Sequence, residues 1–240
     1  MRAARVLGVI FGILAWTGVE AKDLDFSELE PLRLAAPSRT PDVEVLATRM
    51  KMDSGALLFP EHVGQDRFVT LGAQCTAEAC VVKLVLADVD AKLLTQIVLV
   101  EQDVYTGADV SASSVALVEL FASGSPVVLA EYERCGEPQP AVGPQCERYR
   151  ALFDVERGVL LWHERVSASG AGGLQDCSST MKASVGEKGV VLSLSMDCWD
   201  AICRDDPSYC TDAPSKTERT WRWDEGAREF KPGGQPSTGK

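Results

Sequence analysis

From Val43 to Phe230 the side chains alternate. Met181, Ala183 and Val185 are separated by Lys182 and Ser184, and Leu192, Leu194 and Met196 by Ser193 and Ser195. Trp221 and Trp223 alternate with Thr220 and Arg222. Successive side chains leave a strand in opposite directions, so a period of two with one polar side marks a strand buried on one face. Val81–Ala87, Leu93–Glu101, Val115–Phe121 and Val127–Arg134 are more continuously apolar. Such runs read as strands nearer the centre.

Turn signals punctuate these runs. Tyr149–Val155 and Val159–Val166 are joined by Glu156-Arg157-Gly158, with glycine where a three-residue hairpin loop needs positive φ. Gly186-Glu187-Lys188-Gly189 separates Ser178–Val185 from Val190–Met196. Pro126 precedes the run from Val127, a position where a missing N–H is tolerated. The pattern predicts an all-β fold of antiparallel hairpins or a meander, as a sandwich, barrel or propeller-like form, with roughly eleven to thirteen strands. No strand–helix alternation appears, which argues against a nucleotide-binding α/β fold. One short helix is expected near Asp23–Leu32, limited by Pro31. A proline-rich linker runs to residue 42, a single all-β domain covers 43–230, and Lys231–Lys240 reads as a disordered tail.

The first residues change the picture. Arg2 and Arg5 precede an uncharged run, Val6–Trp16, followed by small residues at Val19 and Ala21. This is the layout of a secretory signal peptide cut after Ala21, and the run is too short for a membrane-spanning helix. The expected location is periplasmic or extracellular, with no stable membrane insertion after cleavage. Eight cysteines lie beyond the signal: Cys75, Cys80, Cys135, Cys146, Cys177, Cys198, Cys203 and Cys210. An even number in an exported chain implies disulfides. The hairpin turning between Glu187 and Lys188 sets Cys177 opposite Cys198. Cys135 and Cys146 bracket a loop with three prolines, and Cys75 and Cys80 close a tight loop. The expected bridges are 75–80, 135–146, 177–198 and, by remainder, 203–210. Zinc sites pair their cysteines at closer spacing, often with histidines, so no metal is expected.

The net charge is -11, from 24 Lys plus Arg against 35 Asp plus Glu. That argues against nucleic-acid binding through a basic surface. The chain has no Asn, which excludes N-glycosylation. Glu119-Leu120-Phe121-Ala122-Ser123-Gly124-Ser125-Pro126-Val127-Val128 resembles an FG-GAP or VCBS-type β-repeat, in which an Asp-rich calcium turn precedes a Pro-led strand. Asp88-Val89-Asp90 starts in the same way. The resemblance implies a meander built from repeats. Ala91, Lys92, Ala122 and Ser123 stand where that family places acid or glycine, so it implies no bound calcium.

Chemistry is sparse. The chain carries no Gly-x-Ser-x-Gly elbow, no phosphate loop and no His-Glu-x-x-His. His62 and His163 read as surface or rim histidines, because the sequence neighbours of His163 on a strand point to the opposite face. Ser167–Gly173 reads as a flexible glycine-rich loop. Trp221 and Trp223 share a strand face and read as core packing rather than a sugar platform. The best candidate site is the acidic, aromatic segment holding Asp197, Trp199, Asp200, Asp205, Asp206, Tyr209 and Asp212, as a contact surface for a protein or carbohydrate. No catalytic residue and no cofactor are assigned. The leading expectation is an exported, disulfide-bonded binding or structural module. The alternatives are a secreted hydrolase whose carboxylates are scattered in sequence and an acidic inhibitor-like protein that engages a basic partner.

Overall fold

The alternating runs form the strands expected of them. The computed structural model describes residues 22–103, 109–121, 126–136, 145–170, 175–186, 189–200 and 215–233. Among these, β1 (Lys22–Asp25) precedes a single α-helix, α1 (Val43–Met50). Four strands follow: β2 (Glu61–Gly64), β3 (Arg67–Cys75), β4 (Ala79–Asp88) and β5 (Leu93–Asp103). Eight more complete the chain: β6 (Asp109–Glu119), β7 (Pro126–Cys135), β8 (Gln145–Asp154), β9 (Val159–Gly170), β10 (Gln175–Gly186), β11 (Gly189–Asp200), β12 (Ser215–Asp224) and β13 (Glu229–Pro232). No helix among the described residues is long and apolar enough to cross a membrane.

Two antiparallel meanders result. One sheet runs β2-β3-β4-β5; the other runs in chain order from β6 to β13, with β1 added beside β10. The larger sheet curls without closing. Trp162 on β9 meets Trp221 on β12 edge-on at 5.3 Å, although two strands lie between them. Arg157, in the β8–β9 turn, donates to the carbonyl of Arg228 in the β12–β13 turn at 3.2 Å. Inside the curl lies one core, containing Val127, Leu129, Leu152, Trp162, Met181, Leu192 and Trp221. The other face packs on the smaller sheet through Val128, Ala130, Ala151 and Phe153 against Val69, Leu71, Val82 and Leu84. One end of the β7–β8 hairpin is therefore buried on both sides, which is why Val127–Ala130 and Ala151–Phe153 run continuously apolar.

The helix expected near Asp23–Leu32 does not form. Lys22–Asp25 pairs with Lys182–Val185 of β10 instead. The chain then crosses the curl with Phe26 buried in its core and Leu29 packed against it, and the Leu32 amide donates to the Leu117 carbonyl. Tertiary burial of Leu24, Phe26, Leu29 and Leu32 overrides a weak local helix preference. The helix forms later, at Val43–Met50, within what the sequence assigned to the β domain. Asp42 caps it by accepting from the amides of Glu44 and Val45. Its buried stripe, Leu46, Ala47 and Met50, packs on Val85 and Ala87 of β4. Ser167–Gly170, expected in a loop, belongs to β9.

The three bridges within the described residues pair as expected: 75–80, 135–146 and 177–198. Each joins residues directly opposed across neighbouring strands. Cys203 and Cys210, residues 1–21 and residues 234–240 lie outside the described residues.

Two stability predictions follow from this architecture. Loop-closure entropy makes the Cys177–Cys198 bridge, 21 residues apart, worth about 3 kcal/mol and the Cys75–Cys80 bridge, five apart, about 2 kcal/mol. Urea unfolding of the two double-alanine variants should preserve that order. Gly158 has φ +68°, and a Cβ there would lie 2.5 Å from Thr95 Oγ1 on β5. Gly158→Ala should cost about 2 kcal/mol or more. Adding Thr95→Ala should recover the steric part and leave the backbone part, as a double-mutant cycle will show.

Candidate functional site

The hairpin of β7 and β8 carries a ladder of charges. Its register opposes Glu131 to Arg150, Glu133 to Arg148, Tyr132 to Tyr149 and Arg134 to Glu147, and it ends at Cys135 opposite Cys146. Alternation sends the first two pairs to the inner face of the curl and the second two to the other face. Arg150 Nε donates to Glu131, which also accepts from Ser114 Oγ at 3.3 Å. Arg148 lies 3.7 Å from Glu133 and its side chain is half-exposed. The apolar cores occupy one end of this hairpin and the ionic groups the other, on both faces.

Beside the ladder the larger sheet parts. Among the described residues, β9 and β10 are paired only where Ala168 opposes Cys177. β1 occupies the same side of β10 from Lys182 onward, and the Phe26 amide reaches the Met181 carbonyl. Among the described residues, Ser178, Ser179 and Thr180 therefore have no strand partner on that side. The opening is a cavity of about 300 Å³. Arg148 and Arg150 line it from β8, Val166 and Ser167 from β9, Ser178–Met181 from β10, and Asp25 and Ser27 from the N-terminal segment.

Asp25 creates the opening. Its Oδ1 accepts from the Ser27 hydroxyl at 2.6 Å and the Ser27 amide at 2.9 Å, and its carbonyl accepts from the Glu28 amide. This turn lifts the chain off β10 before it reaches Thr180. The Ser27 hydroxyl and amide, helped by Lys182 and Arg150, hold the Asp25 carboxyl below its ordinary range.

On the opposite face Tyr132 is fully buried, stacks on Tyr149 at 5.1 Å, and shares a hydrogen bond of 2.8 Å with His163 Nε2. Glu147 accepts from Arg134, Arg165 and Tyr149 at 2.6, 2.7 and 2.9 Å. Burial raises the Glu147 carboxyl, but the donors from Arg165, Tyr149 and Arg134 outweigh it and leave it below its ordinary value. Burial pushes the Tyr132 hydroxyl well up and the His163 ring down. His163 is part-buried, and its partner is a tyrosine 31 residues away, which strand neighbours alone do not reveal. This network is ionically self-satisfied and lines no part of the cavity, so its role is to hold β7, β8 and β9 in register.

The acidic segment is only partly placed. Asp197 and Trp199 are half-buried on β11, opposite Ser178 and Asp176, and Asp200 ends that strand. Asp205, Asp206, Tyr209 and Asp212 lie outside the described residues. Trp221 packs in the core, and Trp223 packs on Phe121 and Phe230. Glu133, Cys135 and Cys146 form the one cluster of metal-ligating types among the described residues, but both sulfurs are in a disulfide and offer no thiolate. The Asp88 carboxylate accepts from the amides of Asp90 and Lys92, so it closes the β4–β5 turn. No family model matches the chain, and no curated protein or solved structure is detectably similar to it.

The His163 network has a pH signature. A lowered folded-state value means that the unfolded chain takes up the proton first as pH falls. The stabilisation is complete above the ordinary value of 6.5 and is lost as pH drops below it. Unfolding free energy measured in urea should decline from pH 7 towards pH 5. His163→Gln, which keeps an acceptor for Tyr132, should flatten that decline while lowering stability at pH 8. An unchanged slope would remove His163 from the account.

Proposed function

We propose that this protein is an exported, non-catalytic binding module whose ligand enters the opening between β9 and β10. The observation that carries the reading is the interrupted ladder. Among the described residues, three consecutive residues within the sheet lack a partner on one side, beside two arginines, an aspartate and two further serines. Strand edges inside a sheet are ordinarily paired, so an edge left open and ringed by polar groups suits recognition. The disulfides 135–146 and 177–198 brace the two hairpins that border the opening, which favours a site held in shape before a ligand arrives.

The electrostatics support binding over hydrolysis. Among the described residues, each carboxylate with a shifted value (Asp25, Glu147 and Asp224) is shifted downward. A carboxyl that acts as general acid near neutral pH needs an upward shift. Export rests on the basic and apolar start of the chain, with three disulfides in keeping with an oxidising compartment.

Amide NMR of the oxidised protein against a library of small polar fragments tests this. Binding should move the amides of Ser167 and Ser178–Thr180 together with the Arg148 and Arg150 side-chain signals. Shifts confined to Asp197–Asp200 would transfer the site to the acidic segment and overturn the seam.

A further inference from the structure

Resting on the seam as the binding site, we infer that its ligand is a small zwitterion bearing a carboxylate and an ammonium group, of the size of an amino acid or a dipeptide. Four observations converge on this class. The first is size: about 300 Å³ lies at the small end of ligand pockets.

The second is the cationic wall. Arg150 is oriented through Nε by Glu131, and its terminal nitrogens make no hydrogen bond among the described residues. Arg148 is 3.7 Å from its nearest carboxylate, beyond a good hydrogen bond, so its planar fork of donors is available. Two such forks suit a carboxylate, which takes parallel N–H donors.

The third is the acidic wall. Ser27 occupies only Oδ1 of Asp25; Oδ2 makes no hydrogen bond among the described residues. It remains ionised at neutral pH and can accept from an ammonium group. Asp25, with Glu131 and Glu133 behind the arginines, also disfavours a doubly charged anion such as a phosphate. The fourth is the unpaired edge of Ser178–Thr180, whose alternating N–H and C=O groups match the polar backbone of an amino acid or dipeptide. Among the described residues the cavity lining holds no aromatic ring, which sets it apart from sugar-stacking and base-stacking sites.

Calorimetric titration of the oxidised protein distinguishes the cases. The probes are L-alanine, L-alanyl-L-alanine, the same dipeptide acetylated at its amine, amidated at its carboxylate, and capped at both ends. One or both zwitterions should bind, and each single cap should weaken binding about tenfold or more. The free amino acid and the dipeptide compared directly identify the source. Arg148→Gln should weaken every probe with a carboxylate and leave the amidated dipeptide unchanged. Asp25→Asn keeps an oxygen for Ser27 and the turn, and should weaken only probes with a free amine. Retained near-UV circular dichroism confirms that either variant is folded. If the acetylated dipeptide binds as tightly as the free one, the zwitterion is overturned in favour of a plain carboxylate. If the doubly capped dipeptide binds as well as the others, the ligand class falls and the seam stands. If no probe binds and the fragment library leaves the seam amides unmoved, both fall.

Discussion

The register between β7 and β8 is the constraint on which the rest depends. A slip of one residue would carry Val127 and Leu129 out of the curl and send Tyr132 into it, because side chains alternate strictly along a strand. It would also set Glu131 and Glu133 out of line with Arg150 and Arg148. Three kinds of interaction hold this register at different points. The apolar residues of two cores fix one end, since both faces are buried there. Opposite charges fix the middle, each pair worth only tenths of a kcal/mol to about 1 kcal/mol. The Cys135–Cys146 bridge fixes the far end, where the sheet carries ionic groups and the hydrophobic effect has little to act on. The covalent link stands where burial is weakest.

The opening between β9 and β10 is a consequence of how the N-terminal segment competes for β10. Cys177 opposite Ala168 starts the pairing of β9 with β10, but β1 takes the same side of β10 five residues further on. β9 follows β8 through two register shifts, at Arg148/Tyr149 and Leu152/Phe153. Such bulges bend a strand and increase its twist, which carries β9 away from β10. Asp25 then turns β1 away before it fills the gap. The Phe26 ring, buried in the curl, makes that departure favourable. The cavity thus arises from one local turn and one buried aromatic, with the bulged strand as its other wall.

Much of the fold was legible because its signals are local. Period-two alternation, glycine at Gly158 and proline at Pro126 each declare themselves within a few residues. The three described bridges were legible for the same reason: each closes a single hairpin, so counting from the turn places its cysteines opposite one another. The seam is less legible, although part of its information is local. Once Cys135 is set opposite Cys146, counting back along both strands pairs Glu133 with Arg148 and Glu131 with Arg150. That arithmetic was available and would have identified the ladder. Asp25 and Ser178–Thr180 were not available in this way. Their meeting depends on β1 joining a strand some 160 residues later in the chain, and no local pattern encodes such a contact. The helix was misplaced for a related reason. Leu24, Phe26 and Leu29 offer an apolar spacing that a short helix could also use, and only the tertiary partner decides between them.

An interrupted ladder carries an energetic cost. An amide or carbonyl removed from water without a partner is unfavourable by about 1–3 kcal/mol. The edge at Ser178–Thr180 avoids much of this by facing a polar, water-sized-or-larger cavity rather than a packed core. Extending β1 by four residues in the same register would have paired the edge, and the serine-rich sequence of β10 there offers no steric objection. What prevents it is Asp25 accepting from Ser27, which ends the strand, and Phe26 turning inward, which commits the following residues to the curl. A strand edge that could be paired by its own chain, and is instead held open by a turn and braced by two disulfides, resembles the stability conceded at ligand sites more than an accident of packing. The same residue that holds it open presents its second carboxylate oxygen without a partner, so the device that makes the cavity also supplies part of its chemistry.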